Sequence, residues 1–422
     1  LRELGSLIRA NALRKLPELL EQLEANCTAN GIQVHWAETI DEANKLVLEI
    51  AQRHKVKSVV KGKSMVSEEM ELNHYLGQHG IEALEADLGE YIIQVDHELP
   101  SHIIMPAIHK NKEQISQMFH EKVDPETLAE SAEEMTAIAR KILRKKFYEA
   151  DMGVSGVNFA VAETGTLCLV ENEGNGRFCT TLPPVHVAVM GIEKVLQRLD
   201  DVPPLLSLLT RSATGQAITT YFNMITSPRK SVEKDGPLEV HLILLDNGRS
   251  RMHSDELLRD TLLCIRCGAC MNHCPVDTRI GGHAYGATYP GPIGKILTPQ
   301  IKSLHEAGHL ADASSLCGAC VEVCPVKIPI TDILLRLRHD KAENKRNIPF
   351  TESGGLKAKT ESLIWKCWGM VYANPILYQL KSYKLSKVGN YMPEWLPLLR
   401  NWTSVRSKPR FAIKSLHQLA RE

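Results

Sequence analysis

The chain has 422 residues, enough for two or three domains with sizeable cores, and its 50 Lys and Arg balance its 50 Asp and Glu. That balance excludes a global field that would draw it to nucleic acid or to an acidic substrate. No apolar stretch reaches the 18 or so residues of a membrane span, and the chain starts at Leu1 rather than methionine, which leads us to expect a trimmed N-terminus.

Residues 1 to about 250 alternate helical and strand patterns. Thr39 with Glu42 reads as a capping box, and Ile40, Ala43, Leu46, Val47 and Ile50 then fall on one helical face. Lys57-Ser-Val-Val60 reads as a short buried strand. Further strands are expected at Ile103-Ile-Met105, Asn158 to Ala162, Thr166 to Val170, His186 to Met190 and Glu239 to Leu245. Asp124-Pro125 is expected to open a long charged helix running to about Ala150, with proline in a favoured first-turn position. Strands spaced by helices predict an α/β domain with a largely parallel sheet.

Residues 251 to 345 differ in kind. Of eleven cysteines, seven lie here in two runs, which suits metal ligation in a reducing cytosol better than a secreted disulfide framework. Cys264, Cys267, Cys270 and Cys274 are spaced C-x2-C-x2-C-x3-C with Pro275 next. Cys317, Cys320 and Cys324 repeat C-x2-C-x3-C before Pro325. Three thiolates two residues apart let one loop wrap three corners of an iron–sulfur cube, while the fourth turns toward a neighbouring cluster. Structural zinc sites instead favour separated C-x2-C pairs. Helices are expected at Asp255–Leu263 and Thr331–Lys345. The Gly- and Pro-rich segment from Gly281 to Gly294 is expected to fold over one cluster as a shielding loop. The 43 residues from Cys274 to Cys317 exceed a minimal ferredoxin, so an α-helical two-cluster ferredoxin domain with an insertion is expected.

Residues 346–422 form a basic tail read as a helical extension. From Lys357 to Glu422 there are twelve Lys or Arg against three acidic residues, with four of the five tryptophans: Trp365, Trp368, Trp395 and Trp402. Packing on its own ferredoxin domain, partner docking and contact with a membrane surface all remain open for it.

Several blocks carry a family resemblance: Lys61-Gly-Lys-Ser-Met-Val-Ser-Glu-Glu69, Glu85-Ala-Asp-Leu-Gly-Glu-Tyr91, Pro100-Ser-His-Ile-Ile-Met-Pro-Ala-Ile-His109 and Asn158-Phe-Ala-Val-Ala-Glu-Thr-Gly-Thr166. Asn172-Glu-Gly-Asn175, Thr180-Thr-Leu-Pro-Pro-Val-His-Val-Ala-Val-Met-Gly191, Cys264-Ile-Arg-Cys-Gly-Ala-Cys270 and Leu316-Cys-Gly-Ala-Cys320 continue it. Over nearly its whole length, the tail being loosest, the chain resembles lactate utilisation protein B. The resemblance implies an LUD domain, similar in fold to sugar-phosphate isomerases and CoA transferases, joined to a two-cluster ferredoxin domain. It implies action with two partners, a cysteine-rich iron–sulfur subunit and a lone LUD-domain subunit, in oxidising L-lactate to pyruvate.

By the ferredoxin crossover rule, Cys264, Cys267, Cys270 and Cys324 would bind cluster 1, and Cys274, Cys317 and Cys320 cluster 2. Both are expected as 4Fe–4S. Cluster 2 lacks one thiolate, because Ser314 stands where the full repeat would have cysteine. Ligation by the Ser314 oxygen, by another residue such as Cys367 or a histidine, or an open 3Fe–4S-type site that could chelate a 2-hydroxy acid all remain open. Cys27, Cys168 and Cys179 are isolated and are expected to behave as small buried apolar residues.

Candidate LUD-domain chemistry is sparser. Glu163-Thr-Gly-Thr166 faintly resembles the nucleophilic glutamate region of CoA transferases, against a plain hairpin turn. Asn172-Glu-Gly-Asn-Gly176 offers backbone amides to an anion. Lys61, Lys63 and Ser64 could form an anion pocket ahead of a helix at Ser67. His186 reads first as a core histidine and second as a base, and Arg211 with Ser212 and Thr214 could hold a carboxylate. No flavin or nicotinamide fingerprint is found, since Gly174-Asn-Gly176 lacks the third glycine. The leading expectation is an electron-transfer subunit of an L-lactate-oxidising complex, cytoplasmic, with peripheral association at the inner membrane face left open. The rivals are an LUD enzyme on an anionic metabolite with structural or redox-sensing clusters, and a scaffold subunit.

Overall fold

The computed structural model describes residues 1–346, 355–404 and 406–421, in two compact units, residues 1–339 and 340–422. Ten strands form two sheets in the first unit: β1 (Gln33–Ala37), β2 (Ser58–Lys61), β3 (Glu82–Glu85), β4 (Met152–Gly156), β5 (Phe159–Val161), β6 (Thr166–Glu171), β7 (Val185–Gly191), β8 (Val195–Leu196), β9 (Tyr221–Ile225) and β10 (Glu239–Leu245). The larger sheet runs β1-β10-β7-β4-β2-β3 with every pairing parallel. Its centre is buried on both faces, so β7 and β10 read as continuous apolar runs.

Alternate residues divide between two cores. Val187, Val189, Ile243 and Leu245 pack under the helix Ile40–Arg53, through Val47 and Ile50. Ala188, Met190, Leu242 and Leu244 pack against the helix Leu16–Ala29, through Leu19, Leu23 and Cys27. The smaller sheet, ordered β8-β5-β6-β9, is antiparallel apart from the β5–β8 pair. A third core joins the helices Arg2–Arg14 and Val202–Thr214 to the cysteine-bearing segment, with Leu13, Leu205, Leu262, Ile293 and Leu334 in one cluster.

Three sequence expectations are corrected. Ile103-Ile-Met105 is not a strand: the Ile104 and Met105 N–H groups donate to Nδ1 of His102 at 3.0 and 3.2 Å, and Lys63 Nζ takes the Ile104 carbonyl at 2.6 Å. Backbone groups satisfied by side chains leave no ladder to build. Asp124-Pro125 opens a turn instead of a helix. The helix Ala132–Glu149 begins where Ser131 and Glu134 cap each other's backbone reciprocally, a stronger start than a proline alone. The segment Asp255–Leu263 is also tighter than expected, forming a 3-10 helix over Leu258–Leu263.

Arg9 closes this unit. Its side chain is fully buried, with Nη2 donating to the carbonyls of Glu193 and Leu262 at 2.6 and 2.7 Å, and Nη1 and Nε to Val195 and Leu263 at 3.3 Å. One guanidinium thus ties the first helix to β8 and to the strand-less segment entering Cys264. Burial lowers its pKa to about 10, leaving it charged at neutral pH.

In the second unit, Asn374 caps the helix Pro375–Val388 by accepting from the Ile376 and Leu377 N–H groups, and Pro375 occupies the first turn. Trp365, Trp368, Tyr372 and Tyr378 form successive ring contacts, with Lys381 4.3 Å from the Tyr372 ring. No helix among the described residues is long and apolar enough to cross a membrane. The start of the tail, residues 347–354, lies outside the described residues.

Arg9→Ala should destabilise the first unit by about 3 kcal/mol, because it leaves a cavity and strands buried carbonyls. Thermal unfolding of the anaerobic protein checks this, and an unchanged midpoint would refute the clasp.

Candidate iron–sulfur centre and adjoining pocket

Both cysteine runs fold by the same local rules. Arg266 and Leu316, each directly before a cysteine, take left-handed φ of +61° and +55°. Gly268 and Gly318 follow at +75° and +85° and start the short helices Ala269–Asn272 and Ala319–Val323, which carry Cys270 and Cys320. Side-chain acceptors repeat as well. The Arg266 N–H donates to Cys264 Sγ at 3.3 Å, and the Leu316 N–H donates to Ser314 Oγ at 3.2 Å. The Asp277 N–H meets Cys274 Sγ at 3.5 Å, and the Ile328 N–H meets Cys324 Sγ at 3.4 Å. Ser314 is therefore the structural counterpart of Cys264.

Cys264, Cys267, Cys270 and Cys324 line one small cavity whose other walls include Ile103, Ile293 and Ile330. Burial, and then the charge of neighbouring thiols, pushes Cys267 to about 12 and raises Cys270. Cys320 rises to about 11 through burial and through Cys274 and Cys317. Cys317 is exposed and shifts down, because the Ala319 N–H and the Ser315 hydroxyl donate to it. Four sulfur donors gathered on one cavity with apolar walls are the arrangement an iron–sulfur ligand set needs. The residues present fit that cofactor. Lys295, almost fully buried, sits 3.6 Å from Cys274 Sγ.

The Gly281–Gly294 segment supplies Tyr285 and Tyr289, both buried, and leads into the helix Gly291–Ile301, which carries Ile293 and Lys295. Cys27, Cys168 and Cys179 are buried apolar residues whose thiols burial pushes well up. Cys367 is exposed on the helix Gly355–Ala373 of the second unit.

A circuit of buried charge stands beside the first cysteine run. Arg249, 0% exposed, pairs with both oxygens of Glu69 at 3.0 and 2.9 Å and with Glu193 Oε2 at 2.7 Å. Arg266 reaches Glu193 Oε1 at 3.4 Å and lies over the Tyr289 ring at 5.0 Å, and the Tyr289 hydroxyl donates to Glu69 at 2.7 Å. Burial alone would raise Glu193, but Arg249, Lys194 and Arg266 bring it down to about 2. A Cβ at Gly191 would overlap the Glu193 carboxylate and Arg249 Nε, so this circuit requires glycine there.

Next to the circuit lies a cavity of about 360 Å³ at the carboxyl ends of the parallel strands, where open α/β sheets hold ligands. Lys63, Ser64, Asn172, Asn175 and Thr214 line it, together with Lys194 and Arg266. Lys63 is engaged by the Ile104 carbonyl and lies 3.6 Å from Glu90, whose carboxyl burial pushes up to about 8. Ser64 caps the helix Met65–Glu69 by accepting from the Ser67 N–H.

The other candidates lie elsewhere. Lys61 is buried between Glu68 and Glu85 at 2.5 and 2.7 Å. Burial works against its charge, but the two carboxylates outweigh it and hold the ammonium above its ordinary range. Glu163 is exposed in the β5–β6 turn and accepts from the Leu199 N–H. Arg211 is exposed and bonded to Ser207. His186 is fully buried against Ser155 at 2.9 Å, and burial and then His241 lower it to about 3.

Comparison with known proteins decides the family. The LUD domain family matches residues 20–245, the 4Fe-4S dicluster domain family residues 260–328, and the family of the lactate utilisation protein B C-terminal region residues 336–422. Lactate utilization protein B of Bacillus pumilus is 44% identical over 415 residues, covering 97% of this chain and 85% of that protein. Those of Bacillus cytotoxicus and Bacillus cereus match at 44% with the same coverage. The chain belongs to the lactate utilization protein B family. Its cofactors are iron–sulfur clusters, bound through a 4Fe-4S dicluster domain. A solved DUF162 family protein from Deinococcus radiodurans is similar over 55% of this chain and 98% of its own, at 13% identity and a TM-score of 0.33, too low to support any inference.

In this lactate utilization protein B family member, sequence reasoning missed Lys194, Glu193, Arg249, Arg266 and Lys295. Arg266 carried a readable signal, a cation set between two cysteines of a cluster run. Glu193-Lys194 did not, because an adjacent acid and base read as surface charge and only the topology buries them.

Gly191→Ala should cost at least 2 kcal/mol of stability, because the methyl group displaces one partner of a buried ion pair. Thermal or denaturant unfolding checks it, and a neutral effect would show that the circuit tolerates rearrangement.

Proposed function

We propose that this chain is the electron-carrying iron–sulfur subunit of a complex that oxidises L-lactate to pyruvate. Supporting this is the convergence of Cys264, Cys267, Cys270 and Cys324 on one apolar cavity, within a chain whose relatives are named for lactate utilization. When bound, 4Fe–4S clusters take up and release electrons singly. We assign those four cysteines to cluster 1, and Cys274, Cys317 and Cys320 to cluster 2 with Ser314 Oγ as its fourth donor. The equivalence of Ser314 and Cys264 in backbone contacts supports the serine assignment.

Arg266 beside cluster 1 and Lys295 beside Cys274 each set a buried cation against sulfur, which favours the more negative, reduced state. Ile103, Ile293 and Ile330 keep water from the first site. Oxidising lactate releases two electrons and two protons. Lacking a flavin or nicotinamide fingerprint in this sequence, we place the first acceptor on a partner: a cysteine-rich iron–sulfur subunit or a lone LUD-domain subunit. All eleven cysteines are free of disulfides, which supports work in the reducing cytoplasm.

Anaerobic reconstitution with both partners tests the relay. Cys267→Ser should abolish lactate-dependent electron flow to the terminal acceptor while subunit assembly, followed by gel filtration, persists. Loss of assembly with the variant would favour a scaffold role instead.

Ser314 ligation has its own test. Ser314→Ala should give a 3Fe–4S EPR signal in air-oxidised protein, and Ser314→Cys should give two ordinary 4Fe–4S signals on reduction. Two ordinary signals in both the wild type and Ser314→Ala would exclude serine as a ligand.

A further inference from the structure

Most buried cations in the first unit have spent their donors. Arg9 gives its N–H groups to four carbonyls, and Arg249 to two carboxylates and the Asp246 carbonyl. Two groups lining the 360 Å³ cavity differ. Lys194 is 6% exposed and has no hydrogen-bond or ion-pair partner among the described residues. Arg266 reaches Glu193 with Nη2, but its buried Nη1 has no partner. They come from different elements, the turn after β7 and the first cysteine loop, and they lie close enough for Arg266 to act on Lys194. After burial, its charge is the largest influence bringing that ammonium down to about 7. An unsatisfied buried donor such as Arg266 Nη1 is costly, and two largely buried cations lining one cavity describe the complement of a carboxylate.

We propose that this cavity binds a small monoanionic 2-hydroxy or 2-oxo carboxylate, with its carboxylate on Lys194 and Arg266. The inference rests on the lactate-oxidation reading and adds to it a site on this subunit.

The walls support that class over larger anions. Leu209 and Ala213 give an apolar face for a short alkyl group. Asp87 and Glu173 line the same cavity. These two carboxyl groups side by side leave no room for a further anionic group, which opposes a phosphate or a second carboxylate. Glu171 lines the cavity too, its oxygens held by the N–H groups of Gly176 and Arg177 and by Asn223, as those of Asp87 are held by the Gly89 and Glu90 N–H groups and by Asn175. Because Arg266 stands between Cys264 and Cys267, the loop that grips an acid through it also carries two of the proposed cluster 1 ligands.

The test is direct binding to full-length, anaerobically purified protein with clusters in place and partners absent. Equilibrium dialysis with radiolabelled pyruvate and L-lactate should show one saturable site, and inorganic phosphate should not compete. Lys194→Met and Arg266→Gln should each weaken Kd at least tenfold, while Arg211→Ala, outside the cavity, should leave it unchanged. Pyruvate should also shift the EPR spectrum of the reduced wild type, but not that of Lys194→Met. Iron and sulfide analysis accompanies each variant. Should Arg266→Gln lose iron, Lys194→Met, which lies outside both cysteine runs in the sequence, decides the question, its iron and sulfide content being the control.

Failure of either acid to saturate below about 10 mM, a ΔG weaker than about −3 kcal/mol, would overturn the site. So would unchanged affinity in Lys194→Met, or phosphate binding more tightly than pyruvate. If the reconstituted complex reduces these clusters with lactate while the isolated chain binds neither acid, the pocket falls and the relay stands. If the chain binds acid but its clusters stay oxidised in the complex, the relay falls and the pocket stands.

Discussion

The buried circuit Glu69–Arg249–Glu193–Arg266, closed through Tyr289, is the constraint on which the rest of the first unit depends. Each ion withdrawn from water costs several kcal/mol unless its partners are well placed, and losing one partner costs more than the pair contributes. The four ions come from the last residue of the helix Met65–Glu69, from the turn after β7, from the residue following Gly248 and from the first cysteine loop. A chain that satisfied them in any other arrangement would bury bare charge. The circuit therefore selects one docking of the cysteine-bearing segment on the sheet, where apolar contact alone would allow sliding.

That docking places sulfur donors and a polar cavity on either side of Arg266. The same side chain is tied to Glu193, lies over the Tyr289 ring and lines the cavity, and its buried Nη1 is without a partner. Lys295 gives the Cys274 side a buried cation of its own, so each half of the cysteine-bearing segment has one.

What could be read from the sequence divides along physical lines. The dicluster domain is legible because its cysteine runs have a local spacing that survives without knowledge of the fold. β7 and β10 are readable because both faces are covered and the runs are apolar throughout. β4 is hidden: Met152-Gly-Val-Ser-Gly156 looks too glycine-rich for a central strand. Gly153 is needed because the Cys179 carbonyl of the neighbouring helix occupies the space of its Cβ. β1 is hidden by polar residues suited to a sheet edge. Ile103–Met105 misled because its β-branched pair lines the cysteine cavity and the pocket, where its apolar surface is used in a loop. Lys194 and Arg266 could not be paired by any periodicity, since only the crossing of two distant turns brings them together.

The Arg9 clasp has a consequence for biosynthesis. Its four acceptors are the carbonyls of residues 193, 195, 262 and 263, and Arg2 adds the Cys324 carbonyl. The helix Arg2–Arg14 leaves the ribosome long before any of these has been translated, so its buried guanidinium has no seat until more than half the polypeptide exists. The Arg9 seat is complete once residue 263 exists, just before the first cysteine run, whereas the Arg2 contact waits for residue 324 at the end of the second, so the docking of this one helix brackets the synthesis of both runs.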